Sequence, residues 1–184
     1  GTLRRRATDP WESHLGGIMN TLVPDPEIPS HQGPDAQCVD PALDVITMAV
    51  KVPETLAHLH YWSVQLTRPA STEEVLDAFA ASSRIALIRT DAGLSALNTV
   101  KELMADLGRP HDNLYEVALW SDMLKVEGDE LFYAYMVDNQ AIVIPETIDA
   151  VRALTGTMSN AKESIAKTDA TLGIGLLTQI AGRR

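Results

Sequence analysis

The stretch Thr55-Leu56-Ala57-His58-Leu59-His60-Tyr61-Trp62-Ser63-Val64-Gln65-Leu66 decides the class of fold. Its residues alternate, and along a strand successive side chains point to opposite faces. Leu56, His58, His60, Trp62, Val64 and Leu66 therefore share one side, and Thr55, Ala57, Leu59, Tyr61, Ser63 and Gln65 the other. The first side is the more apolar, so two imidazoles project from it beside an indole. Just upstream, residues 45–52 are also strand-like, with Ile46, Met48, Val50 and Val52 on one face. Pro53-Glu54 marks a turn, and the two strands are expected to form an antiparallel hairpin.

Working outward, Ser71 and Glu74 offer a capping box ahead of Val75, Leu76 and Phe79, which predicts a helix. A short strand follows over 85–88. The next helix is expected over 94–107, where Leu94, Leu97, Val100, Leu103, Met104 and Leu107 recur at helical spacing before Gly108 and Pro110 stop it. Residues 114–120, 123–126 and 131–137 read as strands, with Glu127-Gly128-Asp129 as the hairpin turn between the last two. Pro145 opens a helix carrying Ile148, Val151 and Leu154, and a last helix covers about 161–172. Nearer the start, residues 15–36 hold Pro24, Pro26, Pro29 and Pro34, a density that no helix interior tolerates. That segment is expected to be a turn-rich crossing.

The order is strands, helix, strand, helix, three strands, helices, without the regular alternation of a doubly wound parallel sheet. It predicts an α+β fold: a mixed, largely antiparallel sheet with helices packed on one face. One domain is expected over 1–172, followed by a Gly-interrupted tail over 173–184.

Composition narrows the function. The net charge is -10, from 25 acidic against 15 basic side chains, which argues against non-specific nucleic-acid binding. Lysine is scarce beside the acids, a balance suited to a salt-rich cytoplasm. No run approaches the ~20 apolar residues of a membrane span, so a soluble cytoplasmic protein with no membrane partner is expected. Cys38 is the one cysteine, so no internal disulfide is possible. The chain opens on Gly1 with no Met, and is expected to be cut from something longer.

Four constellations could carry chemistry. His58 and His60 leave three uses open: a shared metal ion, packed core imidazoles, or a general base in a cleft. No third metal ligand stands at suitable spacing, so no metal is expected. His31, in Ser30-His31-Gln32-Gly33, could meet an anionic oxygen together with exposed backbone N–H groups. Arg4, Arg5 and Arg6 form a cluster whose guanidinium forks suit phosphate. Asn139 and Gln140 could place amides at a strand end. The chain holds no G-x-G-x-x-G, phosphate-loop or G-x-S-x-G motif. By themselves the residues describe a phosphate-binding, histidine-containing α+β domain.

Several strings then carry a resemblance. They are Arg5-Arg6-Ala7-Thr8-Asp9-Pro10, Ile28-Pro29-Ser30-His31-Gln32-Gly33-Pro34-Asp35, Thr55-Leu56-Ala57-His58-Leu59-His60, Asn113-Leu114-Tyr115-Glu116-Val117-Ala118-Leu119-Trp120 and Val143-Ile144-Pro145-Glu146-Thr147-Ile148-Asp149-Ala150-Val151-Arg152-Ala153. In this order they resemble the archaeal (type II) glyceraldehyde-3-phosphate dehydrogenases, and the acidic balance resembles haloarchaeal members. The resemblance implies a catalytic domain whose Rossmann NAD(P)-binding domain and nucleophilic Cys lie upstream of Arg5-Arg6, so the isolated chain is expected to be inactive and Cys38 is not the nucleophile. It implies the oxidation of glyceraldehyde 3-phosphate through a thiohemiacetal, hydride transfer to NAD or NADP, and release of the acyl group to inorganic phosphate as 1,3-bisphosphoglycerate, in a tetramer of glycolysis or gluconeogenesis. By motif, Arg5 and Arg6 would lie near the cofactor, and His31 and Gln32 would contact substrate. His58 would be the base, with His60 the second choice. Asn139 and Gln140 would approach the nicotinamide. Two departures stand out: the family often has His-His where this chain has His31-Gln32, and usually His-Gln-Glu-Ser where it has Asp138-Asn139-Gln140-Ala141. The rival expectation is a non-catalytic oligomerisation or metabolite-binding module.

Overall fold

Strand pairing in the computed structural model, which describes residues 22–52 and 57–177, divides differently from the expected hairpin. The chain forms two units, 1–55 and 56–184.

In the first unit, Val23–Pro24 (β1) pairs antiparallel with Val50–Lys51 (β2), Val23 opposite Lys51. The strand expected over 45–52 is thus reduced to two paired residues, because β1 offers only two positions to bond. The crossing segment is not all turn: Gln32–Val39 is a helix, α1. Pro34 falls in its first turn, where backbone N–H groups have no intrahelical acceptor, so the proline costs no hydrogen bond there. Residues 15–21, the Arg4–Arg6 cluster and the Pro53-Glu54 turn lie outside the described residues.

In the second unit, Ala57–Gln65 (β3) pairs antiparallel with the strand over Glu130–Asp138, running from Ala57 opposite Asp138 to Gln65 opposite Glu130. Between them come α2 (Thr72–Ala80), β4 (Ile85–Ile88), α3 (Leu97–Asp106), β5 (Val117–Trp120) and β6 (Lys125–Glu127), and the partner strand is β7 (Glu130–Asp138). Two helices follow, α4 (Ile144–Leu154) and α5 (Ala161–Leu172). The sheet order is β3-β7-β5-β4, with β6 also on β7. β4 and β5 run parallel, joined by the α3 crossover, and the other pairs are antiparallel. The α+β class with a mixed, largely antiparallel sheet therefore holds.

Local chemistry explains most element ends. Glu74 N–H donates to Ser71 Oγ and Ser71 N–H to Glu74 Oε2, 3.1 Å each, completing the capping box of α2. Gly128 takes φ +68° at the β6–β7 turn, a left-handed conformation that side chains disfavour. Helix α3 begins at Leu97, later than expected, because Ala96 is extended at φ -142° and ψ 158° and its N–H donates to Thr99 Oγ1 at 3.3 Å.

Helices lie on both faces of the sheet. On one face α3 lays Val100 and Met104 over Ala86, Ile88, Ala118, Trp120, Ala134 and Met136. Each large side chain buried in this way contributes about 1.5–3 kcal/mol. On the other face α2 places Val75, Leu76 and Phe79 against Leu119, Leu124 and Leu131, and this cluster runs on to the half-buried Tyr133 and Tyr135. Two ion-pair networks lock the periphery. Arg84, just before β4, reaches Glu146 and Asp149 of α4 and Asp169 of α5. The buried Arg109–Glu116 pair, 2.6 and 2.7 Å, also binds Gly173 O and Gly175 N, so residues 173–175 are tied to the core. Among the described residues, no helix is long and apolar enough to cross a membrane.

Candidate active site

The β3–β7 register assembles the histidine face. Pairs directly opposite across an antiparallel ladder share a side of the sheet, so His58 lies beside Val137, His60 beside Tyr135 and Trp62 beside Tyr133. The His60 ring stacks on Tyr135, with centroids 4.8 Å apart and planes 12° from parallel. Trp62 Nε1–H donates to the Tyr135 hydroxyl at 3.1 Å, which holds that phenol in place. His58 stands edge-on to His60, 5.8 Å between centroids, and is itself exposed while His60 is half-buried.

Burial, and then the neighbouring His58, hold the His60 imidazole below its ordinary value of 6.5. Burial also pushes the Tyr133 hydroxyl up to about 12, helped by Tyr135. It raises Tyr135 against the opposing hydrogen bond from Trp62. At neutral pH this ladder is therefore an uncharged surface, from which the exposed His58 ring projects. Among the described residues no group of three or more His, Cys, Asp or Glu side chains is placed to hold a metal ion.

His31 and Gln32 belong to the first unit and form a separate network. His31 stands at the N-cap position of α1, so Asp35, one turn on, meets its ring: Nδ1 and Asp35 Oδ2 lie 3.0 Å apart. Gln32 Nε2 lies 3.0 Å from His31 Nε2, and Ser30 Oγ donates to Gln32 Oε1 at 2.6 Å. This polarity assigns the tautomer: the Gln32 amide donates to Nε2, leaving Nδ1–H to donate to Asp35. Ser30 anchors the chain from inside, 1% exposed, with Thr47 Oγ1 donating to its carbonyl at 2.8 Å. Gly33 N–H donates to the same Thr47 oxygen, and a Cβ on Gly33 would meet that oxygen at 2.9 Å.

Asn139 and Gln140 follow β7 directly, in the turn beside the Ala57–His58 end of β3. Both side chains are exposed, and neither has a hydrogen-bond partner among the described residues. Each amide presents both donors and an acceptor. Arg5 and Arg6 lie outside the described residues.

A model of the C-terminal domain of glyceraldehyde 3-phosphate dehydrogenase matches residues 14–122. This chain belongs to that family.

Curated relatives of the same name agree. The glyceraldehyde-3-phosphate dehydrogenase of Haloarcula marismortui is 43% identical over 175 residues, 95% of this chain and 49% of the relative. That of Metallosphaera sedula is 42% identical over 95% of this chain and 51% of its own length. That of Pyrobaculum calidifontis is 44% identical over 92% and 49%. The chain thus spans about half the length of the curated relatives it matches.

Within this family frame, the matched domain includes both histidine groups and stops before Asn139. Sequence reasoning missed the groups that orient those histidines. Tyr135 became visible only through the β3–β7 register, although Tyr133 and Tyr135 already alternate on their strand. Asp35 stands four residues from His31, a spacing that signals contact once the segment is helical. Nothing local marks Ser30 and Thr47 as partners, since they are 17 residues apart in sequence.

Proposed function

We propose that this chain is the catalytic-domain portion of a phosphorylating glyceraldehyde-3-phosphate dehydrogenase, working with NAD or NADP and inorganic phosphate in the cytoplasm. The observation that carries the reading is the exposed His58, braced by a neutral His60–Tyr135–Trp62 ladder, in a chain of this family. The chain spans half the length of its relatives, and we assign the nucleophilic thiol to the other half, not to the exposed Cys38 on α1.

In this reading His58 takes the thiol proton, the thiolate attacks the aldehyde carbon to form a C–S bond as the C=O π pair moves to oxygen, and His58 returns the proton to that oxygen to give the hydroxyl. His58 then removes the hydroxyl proton as hydride leaves that carbon, which produces a thioester. A nicotinamide nucleotide supplies the hydride acceptor when bound, and Asn139 and Gln140 would orient its carboxamide. His31 and Gln32 would hold the substrate by hydrogen bonds, and Arg5 and Arg6 would face the anionic cofactor and phosphate. Inorganic phosphate displaces the thiolate and leaves as the acyl phosphate. Strand β3 is a sheet edge with Leu59 and Tyr61 exposed, the latter 72%, which supports a homo-oligomer, a tetramer by family resemblance.

The test is NAD(P) reduction by the full-length polypeptide, dependent on both glyceraldehyde 3-phosphate and phosphate. Activity is expected in the parent and in Cys38→Ser, and is lowered by about 10²–10⁴ in His58→Asn; the 184 residues alone are expected to show none. A parent without substrate-dependent reduction overturns the proposal.

A further inference from the structure

We propose that Asp138, held by Lys101, is a positioning residue that sets the Asn139–Gln140 turn at the end of β7. Asp138 is only 2% exposed, and both its carboxylate oxygens are engaged. Oδ2 accepts the Lys101 ammonium from α3. Oδ1 accepts the backbone N–H groups of Gln140 and Ala141, at 2.9 Å each. Burial works against the charge, but the Lys101 ammonium and these two N–H groups hold the Asp138 carboxyl below its ordinary range.

The geometry has one consequence for the turn. An aspartate that accepts from the residues two and three positions on folds the chain back on itself at that point. Ala141 is fully buried beneath the turn, and Ile142 N–H donates to Asp138 O at 3.1 Å, so the backbone leaves the strand on one fixed path into α4. The side chains of Asn139 and Gln140 are left outward and unengaged at the His58 end of the sheet. Lys101 keeps the acid ionised and fixed in rotamer, because a buried carboxylate without a cation would shed its charge or leave the site. The pair therefore serves presentation of the two amides as well as packing.

This inference rests on the dehydrogenase reading for the identity of what the amides meet. In the full-length protein, Asp138→Ala is expected to raise KM for the nicotinamide nucleotide about tenfold with kcat nearly unchanged, since the amides are misplaced while His58 is untouched. The amide protons of Gln140 and Ala141 should lose protection in hydrogen exchange in the same variant. The neutral pair Lys101→Met with Asp138→Asn keeps an acceptor for both N–H groups and is expected to restore KM and protection. Asp138→Ser, with one short acceptor, gives an intermediate KM and serves if Asp138→Ala does not fold. Unchanged KM in an active enzyme, or unchanged exchange at both amides, overturns the positioning role. A parent that reduces no NAD(P) overturns the dehydrogenase reading and the cofactor assignment with it, while exchange still decides whether Asp138 sets the turn.

Discussion

His60 lies flat against Tyr135, with centroids 4.8 Å apart across the β3–β7 ladder, and burial there, then the neighbouring His58, favour the uncharged imidazole. Its proton affinity is lowered in the folded state, so the unfolded chain binds more protons in the interval below the ordinary value of 6.5. Stability then rises with pH across that interval and is lost as pH falls from 6.5 toward the depressed value. The Tm of the full-length protein should drop on acidification from pH 6.5, and His60→Phe, which can still stack, should flatten that slope. An unchanged slope in the variant would exclude His60 as its source.

His58 and His60 are expected to separate kinetically. His58→Asn should lower kcat by about 10²–10⁴, the range of a lost general base, and remove the acid limb of the pH–rate profile. His60→Asn should cost roughly tenfold or less, because His60 acts by bracing its neighbour. Equal losses in the two variants would contradict the assignment.

The His31 network predicts a binding effect at a distance. Ser30→Ala removes the donor that fixes Gln32 Oε1, and so frees the amide that holds the His31 tautomer. KM for the triose phosphate should rise about three- to fivefold, consistent with loss of one hydrogen bond of about 1 kcal/mol, with kcat little changed. Steady-state kinetics on the full-length enzyme measures this directly.

Arg84 joins the start of β4 to two helices, and its removal should be felt in stability. Burial raises the proton affinity of Asp149, but hydrogen bonds from Ser164, Arg84 and Thr168 outweigh it and bring the carboxyl down to about 2. That stabilisation is present above the ordinary value of 3.8 and is lost as pH falls through about 2. Arg84→Met leaves Asp149 and Asp169 without their shared cation and should cost about 3 kcal/mol in urea unfolding at neutral pH. A Tm equal to the parent's would show that the network is dispensable.

Much of the second unit was legible residue by residue. The capping box of Ser71 and Glu74, the Gly128 turn, Pro145 in the first turn of α4 and the bounds of α5 all follow from chemistry within a few positions. The alternation through His58, His60 and Trp62 likewise named the face these rings share. Helix α1 was hidden because Pro34 reads as a breaker unless the first turn is recognised, and with it the Asp35–His31 contact was hidden too.

What the sequence determined by itself was therefore periodicity: which side chains share a face, where helices begin, and that two histidines stand together on a strand. Only the tertiary structure decided which strands are neighbours. Pairing β3 with β7 rather than with residues 45–52 sets Tyr135 under His60 and the Asn139–Gln140 turn beside His58. The choice of partner depends on which faces can be buried together across the whole sheet, and no window of local sequence contains that balance. The same holds for Lys101 and Asp138, 37 residues apart, whose meeting is a product of α3 packing on the sheet.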